Sequence, residues 1–418
     1  MADVDRYAPT FALFVEDTVI SSDVTDDVVE VLAESDVDLA SKIEVTVKNT
    51  SSIYSDSTLF APGNQIEVWM GYGDALGYVM RGEIIRHLPS FPKTGSIPTL
   101  KIVAHDLSHR MAREELRVKA AKGTVQKKVK GKPGKESGRV WGSKLEEVIT
   151  EICEKYDIKA IVDPALAKVG EAFVQKKGTS DVAVIRALAN LYGAEFFVEY
   201  DPTGRVYGTD DSGEILKIQT PGTWVAHFRK PLTKPEGKVY EFVYSEGDDG
   251  TLLSFDPEYG LPDAISEVCA WVFDRKAREW VQITTEETKA GKSPKFSAGT
   301  FDPKKKNSPP GGEVEALDSM TRLKIAASGH SIEVLTRKFR NVGDATAFVD
   351  SWLQRYKDAF VIGKGELPGV EPLKAGQIHK LGGIGKRLSG DYYFAKVAHK
   401  WTPGDGFGTE FSARKVIT

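Results

Sequence analysis

The sequence contains one short motif whose residue types could bind a metal ion. His105-Asp106-Leu107-Ser108-His109 is an HDxxH segment, and on a helix both imidazoles would lie on one face, as zinc ligands do. Three observations oppose a metal site. The acid is Asp rather than the longer Glu, no obvious third ligand follows, and the segment directly continues a predicted strand. We therefore predict a structural corner at the end of a strand, without a metal ion.

No other arrangement of residues predicts catalysis. The sequence has no G-x-S-x-G motif, no Walker loop and no dinucleotide fingerprint in a βαβ setting. Gly382-Gly383-Ile384-Gly385 is rich in glycine, but it connects two predicted strands, and hairpin turn chemistry explains it better than a phosphate-binding loop. The paired acids Asp248-Asp249 and Glu286-Glu287 lie in polar segments that are typical of solvated surfaces. We predict no catalytic residue, no cofactor and no metal site, and hence no enzyme.

Size and composition are those of a globular protein with several domains. The 418 residues should form about two to four domains, and a hydrophobic content of 41% with 28% charged residues is typical of soluble proteins. The net charge of -4 argues against a dedicated nucleic-acid-binding protein. No apolar run approaches the roughly 18 residues of a membrane helix, and no secretory signal peptide is evident. Cys153 and Cys269 are predicted to be buried thiols.

Alternating apolar residues predict a β-meander in the first part of the chain. Within Leu59–Met111, apolar residues recur at every second position in three segments that are separated by Gly, Pro and Asn. This is the main sequence signal for antiparallel strands. Together with earlier alternating segments it predicts a small β-barrel over residues 1–112, and the HDxxH corner would follow its last strand.

A shorter version of this meander, Leu373–Ala413, ends the chain. The two versions match at glycines in the turns and at a histidine that ends the long second strand. The matched segments are Gly63–Ile66 with Gly376–Ile378, Gly71–Gly73 with Gly383–Gly385, and the strand up to His87 with the strand up to His399. The recurrence predicts two related β-domains in one chain.

Between the two β-regions the sequence predicts a linker and a small α+β unit. Residues 113–142 are a basic, mobile linker, because Lys119–Arg139 nearly lacks large apolar side chains and cannot offset its ordering entropy. A phosphate- or membrane-seeking arm is the alternative interpretation. Residues 143–223 form the α+β unit. Its predicted features are Ser143 and Ser180 as helix N-caps, Gly193 as a helix end, and a hairpin of Glu195–Tyr200 with Arg205–Tyr207.

Residues 224–418 are predicted to form the second β-barrel. One amphipathic helix over residues 344–358 interrupts the strands, with Asp344 as its N-cap and Trp352 on its buried face. Residues 289–312 are rich in Pro, Gly and Lys and are predicted to be a second mobile loop. The fold class predicted from these segments is mainly β with an α+β insertion.

Four segments, taken in order, carry a resemblance to a known family. They are Pro62–Tyr72 with Gly82-Glu83-Ile84, then Ala104–Met111, then Gln175–Phe196, and last Pro372–His399. Their order resembles the late control gene D family, the baseplate hub proteins of contractile-tailed bacteriophages. The resemblance spans nearly the whole chain, but the segments 119–139 and 289–312 are not part of the family pattern.

The resemblance implies a structural protein of the virion, located in the tail baseplate and assembled in the cytoplasm of the bacterial host. The expected hub is a homotrimer with two tube-protein-like β-barrels per chain and a helical subdomain between them. Six barrels would surround a DNA channel, without specific DNA binding or membrane insertion, and would adapt a sixfold tail tube to a threefold spike. The expected partners are the tail tube protein, the central spike protein, other baseplate components and a tape-measure protein. Because the chain stops at Thr418, the spike is expected to be a separate protein.

Three other functions are compatible with the sequence. A hub of a related contractile injection system would share the module, as the spike protein of type VI secretion does. A tail-associated cell-wall hydrolase would need two carboxylates at a defined separation across a cleft, and nothing in the sequence marks such a pair. A carbohydrate-binding β-protein would agree with 7 Trp and 14 Tyr, but most of these aromatics occupy alternating or helical core positions. The structural hub is the favoured interpretation.

Overall fold

We describe the fold from a computed structural model. It describes residues 8–112 except 74 and 94, residues 139–167 except 142–143, residues 174–202 except 176–177, residues 222–259 except 247–249, residues 267–286 except 275–276, and residues 295–300, 332–335, 342–358 and 361–416. Residues 113–138 of the predicted linker 113–142 therefore lie outside the described residues, as do most of the predicted loop 289–312 and the proposed N-cap Ser143. The end of the predicted linker was wrong, because Arg139–Val140 form a strand paired with Val174–Gln175 and Trp141 is 1% exposed in a hydrophobic core.

The described residues form short helices and many strands, which we number in chain order. The helices are α1 Ser22–Asp26, α2 Ser108–Met111, α3 Leu145–Glu154, α4 Pro164–Ala167, α5 Asp181–Tyr192 and α6 Val342–Asp358, with a 3₁₀ turn at Thr50–Ser52. The strands are β1 Pro9–Val15, β2 Thr18–Val19, β3 Val28–Asp36, β4 Lys42–Lys48, β5 Gln65–Tyr72, β6 Ala75–Ser90, β7 Thr99–His105, β8 Arg139–Val140, β9 Lys159–Val162, β10 Val174–Gln175, β11 Glu195–Asp201, β12 Thr223–Arg229, β13 Glu241–Val243, β14 Ser254–Tyr259, β15 Glu267–Asp274, β16 Glu279–Glu286, β17 Lys295–Thr300, β18 Ile332–Leu335, β19 Val361–Pro368, β20 Gln377–Gly382, β21 Gly390–Thr402 and β22 Gly406–Lys415.

One large sheet joins the two ends of the chain. It has 13 strands, with the main order β14-β19-β22-β21-β3-β4-β7-β6-β5-β1-β2, and β20 and β13 continue from β21. Every pair is antiparallel except β13 with β20. The fold is therefore mainly β, as the alternating sequence predicted, and the longer helices α3, α5 and α6 lie in smaller units beside the sheet.

Each end of the chain contributes five strands in the same order. The N-terminal set is β3-β4-β7-β6-β5, and the C-terminal set is β14-β19-β22-β21-β20. We call these sets the first repeat and the second repeat. In both repeats, three consecutive strands form a meander. The middle strand is long and pairs with the strand before it and with the strand after it. The meander that recurs in the sequence is thus a recurrence of strand order.

Two backbone features fix how the repeats correspond. A β-bulge interrupts the pairing of β6 with β7 just after Ile84, and a bulge interrupts β21 with β22 just after Phe394. The N–H of Gly63 donates to the Ile84 carbonyl at 2.8 Å, and the N–H of Gly376 donates to the Phe394 carbonyl at 2.7 Å. Both glycines have positive φ, +103° and +85°, which side-chain-bearing residues rarely adopt. Ile84 therefore corresponds to Phe394.

The register of the paired strands corrects the correspondence between the two meanders that was predicted from residue types. Counting from the bulge and along the paired strands, Ile66 corresponds to His379 rather than to Ile378. Both Ile66 and His379 are buried, and the ring of His379 lies edge-on to Phe394 at a centroid distance of 5.1 Å. The sequence match failed by one residue because a histidine replaces an aliphatic side chain in the second core. The same count aligns His87 with Val397, two residues before His399.

The α+β unit packs beside the sheet and extends further along the chain than predicted. Its three-stranded sheet has the order β11-β12-β9, so β11 pairs with β12 rather than with the predicted hairpin strand at 205–207, which lies outside the described residues. Thr223–Arg229 therefore belongs to this unit and not to the second barrel that was predicted to start at 224. Sequence adjacency misled the prediction because a strand's partner is chosen by tertiary contacts.

The segment between β14 and β19 also joins the α+β unit. Its four-stranded sheet has the order β17-β16-β15-β18, and helix α6 packs on this sheet and against α5. The buried side chains of this segment, Ala270, Val272, Ile283, Ala345, Phe348 and Val349, share one hydrophobic core with Ile149, Ile185, Tyr192 and Phe228. The second repeat is therefore discontinuous. Strand β17 also shows that residues 295–300 of the predicted mobile loop are an edge strand paired with β16.

The helix signals at Ser180 and Gly193 were read correctly, whereas α3 begins at Leu145 and its N-cap residue is Lys144 rather than the predicted Ser143. The Ser180 hydroxyl oxygen accepts a hydrogen bond from Ala183 N at 3.3 Å, and Gly193 ends α5 in the left-handed region at φ +62°. Helix α6 begins at Val342, two residues before the predicted cap Asp344. No helix among the described residues is long and apolar enough to cross a membrane.

Helix α6 provides a test of the shared core. Phe348 is 5% exposed, whereas Trp352, predicted to be core, is only partly buried and packs at the rim, with its ring 5.3 Å from that of Phe348. We expect Phe348→Ala to lower the free energy of unfolding by about 3–5 kcal/mol, as for fully buried aromatics, and Trp352→Ala to cost less. Urea denaturation of both variants measures the difference, and an equal or reversed order would contradict this assignment.

Candidate functional site at the junction of the two repeats

The HDxxH segment forms a corner that is held by backbone hydrogen bonds. Strand β7 ends at His105, and the one-turn helix α2 follows. The carboxylate of Asp106 is 2% exposed, and its two oxygens accept hydrogen bonds from Ser41 N at 2.5 Å and Ser108 N at 2.7 Å. The carboxylate that a metal ion would require is therefore directed at two backbone donors, and it ties the start of β4 to the end of β7.

His109 of this corner is placed against other polar groups than the Asp106 carboxylate. His109 Nδ1 lies 2.8 Å from the backbone carbonyl of Asp106, and its Nε2 lies 3.7 Å from a carboxylate oxygen of Glu83. Glu83 accepts a hydrogen bond from Arg110 Nε at 2.6 Å. Among the residues that the structure describes, no group of three or more His, Cys, Asp or Glu side chains is placed to hold a metal ion.

The arrangement that does join large parts of the molecule is the pairing of β21 with β3. This antiparallel ladder runs from Lys396 opposite Asp36 to Trp401 opposite Val31, and it connects the second repeat to the first. We call it the junction. It converts two separate meanders into one continuous sheet, since no other described strand of the second repeat pairs with the first repeat.

Charged side chains reinforce the junction on one face of the sheet. Lys396 Nζ lies 2.9 Å from a carboxylate oxygen of Glu34, and Lys400 Nζ lies 3.4 Å from one of Glu30. Both pairs are partly exposed, so each contributes roughly 0–1 kcal/mol to stability. Their main effect is to specify register, because a slip of the strands would separate both pairs.

Aromatic side chains reinforce the junction on the other face. Trp401 packs against the core of the first repeat, with its ring centroid 4.3 Å from that of Phe11, and its Nε1–H donates to the Pro9 carbonyl at 3.2 Å. Phe407 is 5% exposed in the same core, and its ring lies 5.7 Å from that of Tyr72. The tip of the β21–β22 hairpin is thus inserted into the first repeat, which buries apolar surface that would otherwise face water.

Polar groups around the buried Glu195 and the partly exposed Glu199 attach the α+β unit to the second repeat. Glu195 accepts hydrogen bonds from the hydroxyl of Tyr393 and, at 2.9 Å, from Arg414 Nη2. Burial raises the pKa of Glu195. A second cluster joins Glu199 to His227 at 2.9 Å and to Lys374 at 3.2 Å. Burial alone would raise the pKa of Glu199, but these donors hold it at about 2.

The sequence did not single out the junction residues. A usable signal was present, because Glu30 and Glu34 on one strand, and Lys396 and Lys400 on another, have the same four-residue spacing. Two strands with opposite charges at equal spacing can pair in register. Nothing in the sequence, however, indicates that strands more than 350 residues apart are neighbours, because long-range pairing leaves no local pattern.

Comparisons with known structures agree with this architecture. The 43 kDa tail protein of prophage MuSo2 from Shewanella oneidensis superposes with a TM-score of 0.56 over 97% of this chain and 98% of its own length, at 11% sequence identity. The tail protein from Neisseria meningitidis MC58 gives 0.55 over 98% and 97%, at 12% identity. No protein-family model and no curated protein matches the sequence. The chain therefore has the fold of these phage tail proteins, in agreement with the resemblance found in its sequence.

The corner at Asp106 generates a prediction about stability. Asp106→Ala would leave two buried backbone N–H groups without acceptors, and we expect a loss of about 2–4 kcal/mol in the free energy of unfolding. Asp106→Asn retains one acceptor oxygen and should lose less. Urea denaturation of the three proteins tests this, and an Ala variant within about 1 kcal/mol of the natural protein would show that water replaces the carboxylate.

His399 generates a prediction about pH. Its Nε2 lies 2.9 Å from the Leu373 carbonyl and its Nδ1 lies 3.0 Å from the Thr409 hydroxyl, an arrangement that suits a neutral ring. Burial lowers the pKa of His399 to about 4. Because the folded pKa lies below the unfolded value near 6.5, stability is fully present above about pH 6.5 and falls as the pH decreases toward 4.

The expected loss is about 3 kcal/mol at pH 4 relative to pH 7 from this histidine. Urea denaturation at the two pH values measures it, with His399→Gln as the control that removes the titrating group. If the variant has the same pH dependence as the natural protein over this range, the assignment of the neutral ring is wrong.

Proposed function

We propose that this protein is the structural hub of a contractile phage tail baseplate. In this proposal three copies form a ring, and each copy contributes two barrels built on its two repeats. The ring has six similar units around a channel, and it adapts a sixfold tail tube to a threefold central spike. The chain performs no catalysis and requires no cofactor.

The observation that carries the proposal is the duplicated strand order within one continuous sheet. A chain that already holds two equivalent units side by side supplies six units when three copies assemble. Closed rings arise from heterologous contacts when the rotation between neighbours closes. The fold shared with the two tail proteins supports the same conclusion, and the corner at Asp106 and the junction both have structural rather than catalytic geometry.

The proposal includes partners that recognise different faces of the ring. The tail tube protein would bind the face with six similar units, and the spike protein would bind the opposite face. Other baseplate components and a tape-measure protein are further expected neighbours, and DNA would pass through the channel without specific binding. The proposed location is the tail baseplate of the virion, after assembly in the host cytoplasm. A contractile injection system related to phage tails would use the same ring.

Electron-microscopic reconstruction of the purified assembly tests the proposal. The expected result is a ring of three copies in which the two repeats superpose after rotation by about 60° around a central channel. A dimer, or a chain whose two repeats do not superpose, would contradict the adaptor function.

A further inference from the structure

Within the two repeats, two strand edges have no partner among the described strands. Strand β14 pairs with β19 on one side only. Strand β6 pairs with β5 up to Glu83, but its later half, residues 84–90, pairs only with β7. Unpaired edges with exposed backbone groups readily accept another strand. The two open edges belong to different repeats.

Because the two repeats are equivalent, each open edge can be matched to an edge that is paired in the other repeat. In the second repeat, the later half of β21 uses the same edge to pair with β3 of the first repeat. The later half of β6 corresponds to the later half of β21, and β14 corresponds to β3, because the bulges and registers align them. The two open edges therefore correspond to the two sides of the junction, and each repeat contributes one of them.

We propose that the later half of β6 pairs with β14 of a second copy of this chain, in the register of the junction. This inference rests on the proposed function and deepens it by assigning the surface through which copies associate. In this register Arg86 lies near Glu258 of the next copy, Leu88 lies opposite Glu258, and Phe91 lies opposite Phe255. The two edges are not paired with each other within the described part of the chain, and a contact that joins two different edges is head to tail.

Charges at the open edges reproduce those of the junction. Arg86 corresponds to Lys396 and Glu258 corresponds to Glu34, so the ion pair Lys396–Glu34 recurs as Arg86 with Glu258 between copies. Arg86 and Glu258 are both exposed, and neither has an ion-pair partner within the described part of the chain. Opposite charges at matching positions favour this register.

The second ion pair of the junction, Lys400 with Glu30, has a serine in place of each partner at the open edges. Lys400 corresponds to Ser90, and Glu30 corresponds to Ser254. If only one of the two residues had been replaced, the remaining lysine or glutamate would have no ion-pair partner. Because both are serines, the contact between copies contains no unpaired charge at this position.

An exposed aromatic residue occupies the place of the inserted tryptophan. When the count is continued one residue past Ser90, the end of the strand, Phe91 corresponds to Trp401, which packs in the core of the neighbouring repeat. Phe91 is 65% exposed, and Ile97 on the same hairpin is 56% exposed. Its predicted neighbour Phe255 is half-buried and stacks on Phe411 at 6.0 Å. A group of exposed apolar side chains on one hairpin tip is typical of an interaction surface.

One difference makes the contact between copies weaker than the junction. Pro89 and Pro257 stand where the junction has His399 and Ala33, and proline cannot donate a backbone hydrogen bond. The ladder between copies is interrupted at that position. Apolar contact at Phe91 must then supply much of the association, and we expect assembly to depend on protein concentration.

Charge reversal in the full-length chain tests the register. We expect Arg86→Glu alone and Glu258→Arg alone to raise the dissociation constant of self-association at least tenfold, measured by sedimentation velocity over a range of concentrations. The double variant restores the pair at every contact and should recover most of the affinity. Lys380→Glu, an exposed strand residue whose strand is paired on both sides, is the matched control and should have no effect.

Removal of the aromatic anchor is an independent test. Phe91→Ser should weaken self-association at least tenfold, with an unchanged unfolding midpoint because the side chain is exposed. Ile161→Ser, which alters a 46% exposed residue in the sheet of the α+β unit, is its control and should associate normally. Equal effects of the two substitutions would contradict the assignment of the hairpin tip.

Cysteine cross-linking locates the contact directly. When Leu88→Cys chains are mixed with Glu258→Cys chains and oxidised, we expect an intermolecular disulfide, because directly opposed residues have Cα atoms about 4.5–5.5 Å apart. Each variant alone should not cross-link. Leu88→Cys mixed with Ser254→Cys is the control, because four residues along a strand displace the thiol by about 13 Å.

The outcomes separate this inference from the proposed function. Three-copy rings that persist in the Arg86 and Phe91 variants, or that cross-link elsewhere, would overturn the edge pairing and leave the ring standing. A chain that does not self-associate at any concentration would also overturn the pairing. Cross-linking at the predicted pair in open head-to-tail chains would support the pairing and contradict the ring.

Discussion

The antiparallel pairing of β21 with β3 is the interaction on which the rest of the structure depends. It is made by strands from opposite ends of the sequence, and it is the only pairing between the two repeats among the described strands. Because the strands are far apart in the chain, loop closure must precede any gain from the contact. Ion pairs on one face of the ladder and the inserted Trp401 on the other restrict it to one register. The pairing therefore determines how the two repeats sit relative to each other.

In the proposed ring, this geometry would allow one chain to supply two units. The strand order is used twice, and the edge that is paired in the junction has equivalents that are unpaired among the described strands. The open edges carry Arg86, Glu258 and Phe91 at the positions of Lys396, Glu34 and Trp401. Prolines on both edges also hinder pairing with arbitrary strands. Natural sheets commonly carry proline on edge strands, where it has the same effect. In the proposed contact between copies, these features would limit association to a partner with matching chemistry.

The α+β unit has a different role from the repeats. Its helices and strands share one core with the segment between β14 and β19, so two insertions that are separated in sequence stabilise each other. The unit is attached to the sheet by polar groups around the buried Glu195 and the partly exposed Glu199 rather than by a strand ladder. The large sheet can therefore keep its strand order while long segments are inserted between its strands.

The sequence by itself determined the mainly β fold, the helix caps at Ser180 and Gly193, and the recurrence of the meander, because these depend on alternation, turn glycines and capping residues that are local in the chain. It also indicated that the Asp106 segment is a corner. Only the tertiary structure decided that Thr223–Arg229 pairs within the α+β unit, that residues 295–300 form an edge strand, and that Ile66 corresponds to His379. It alone brought Glu34 to Lys396. The physical reason is that strand pairing is specified by side chains on two distant segments together, and neither segment carries a pattern that names its partner.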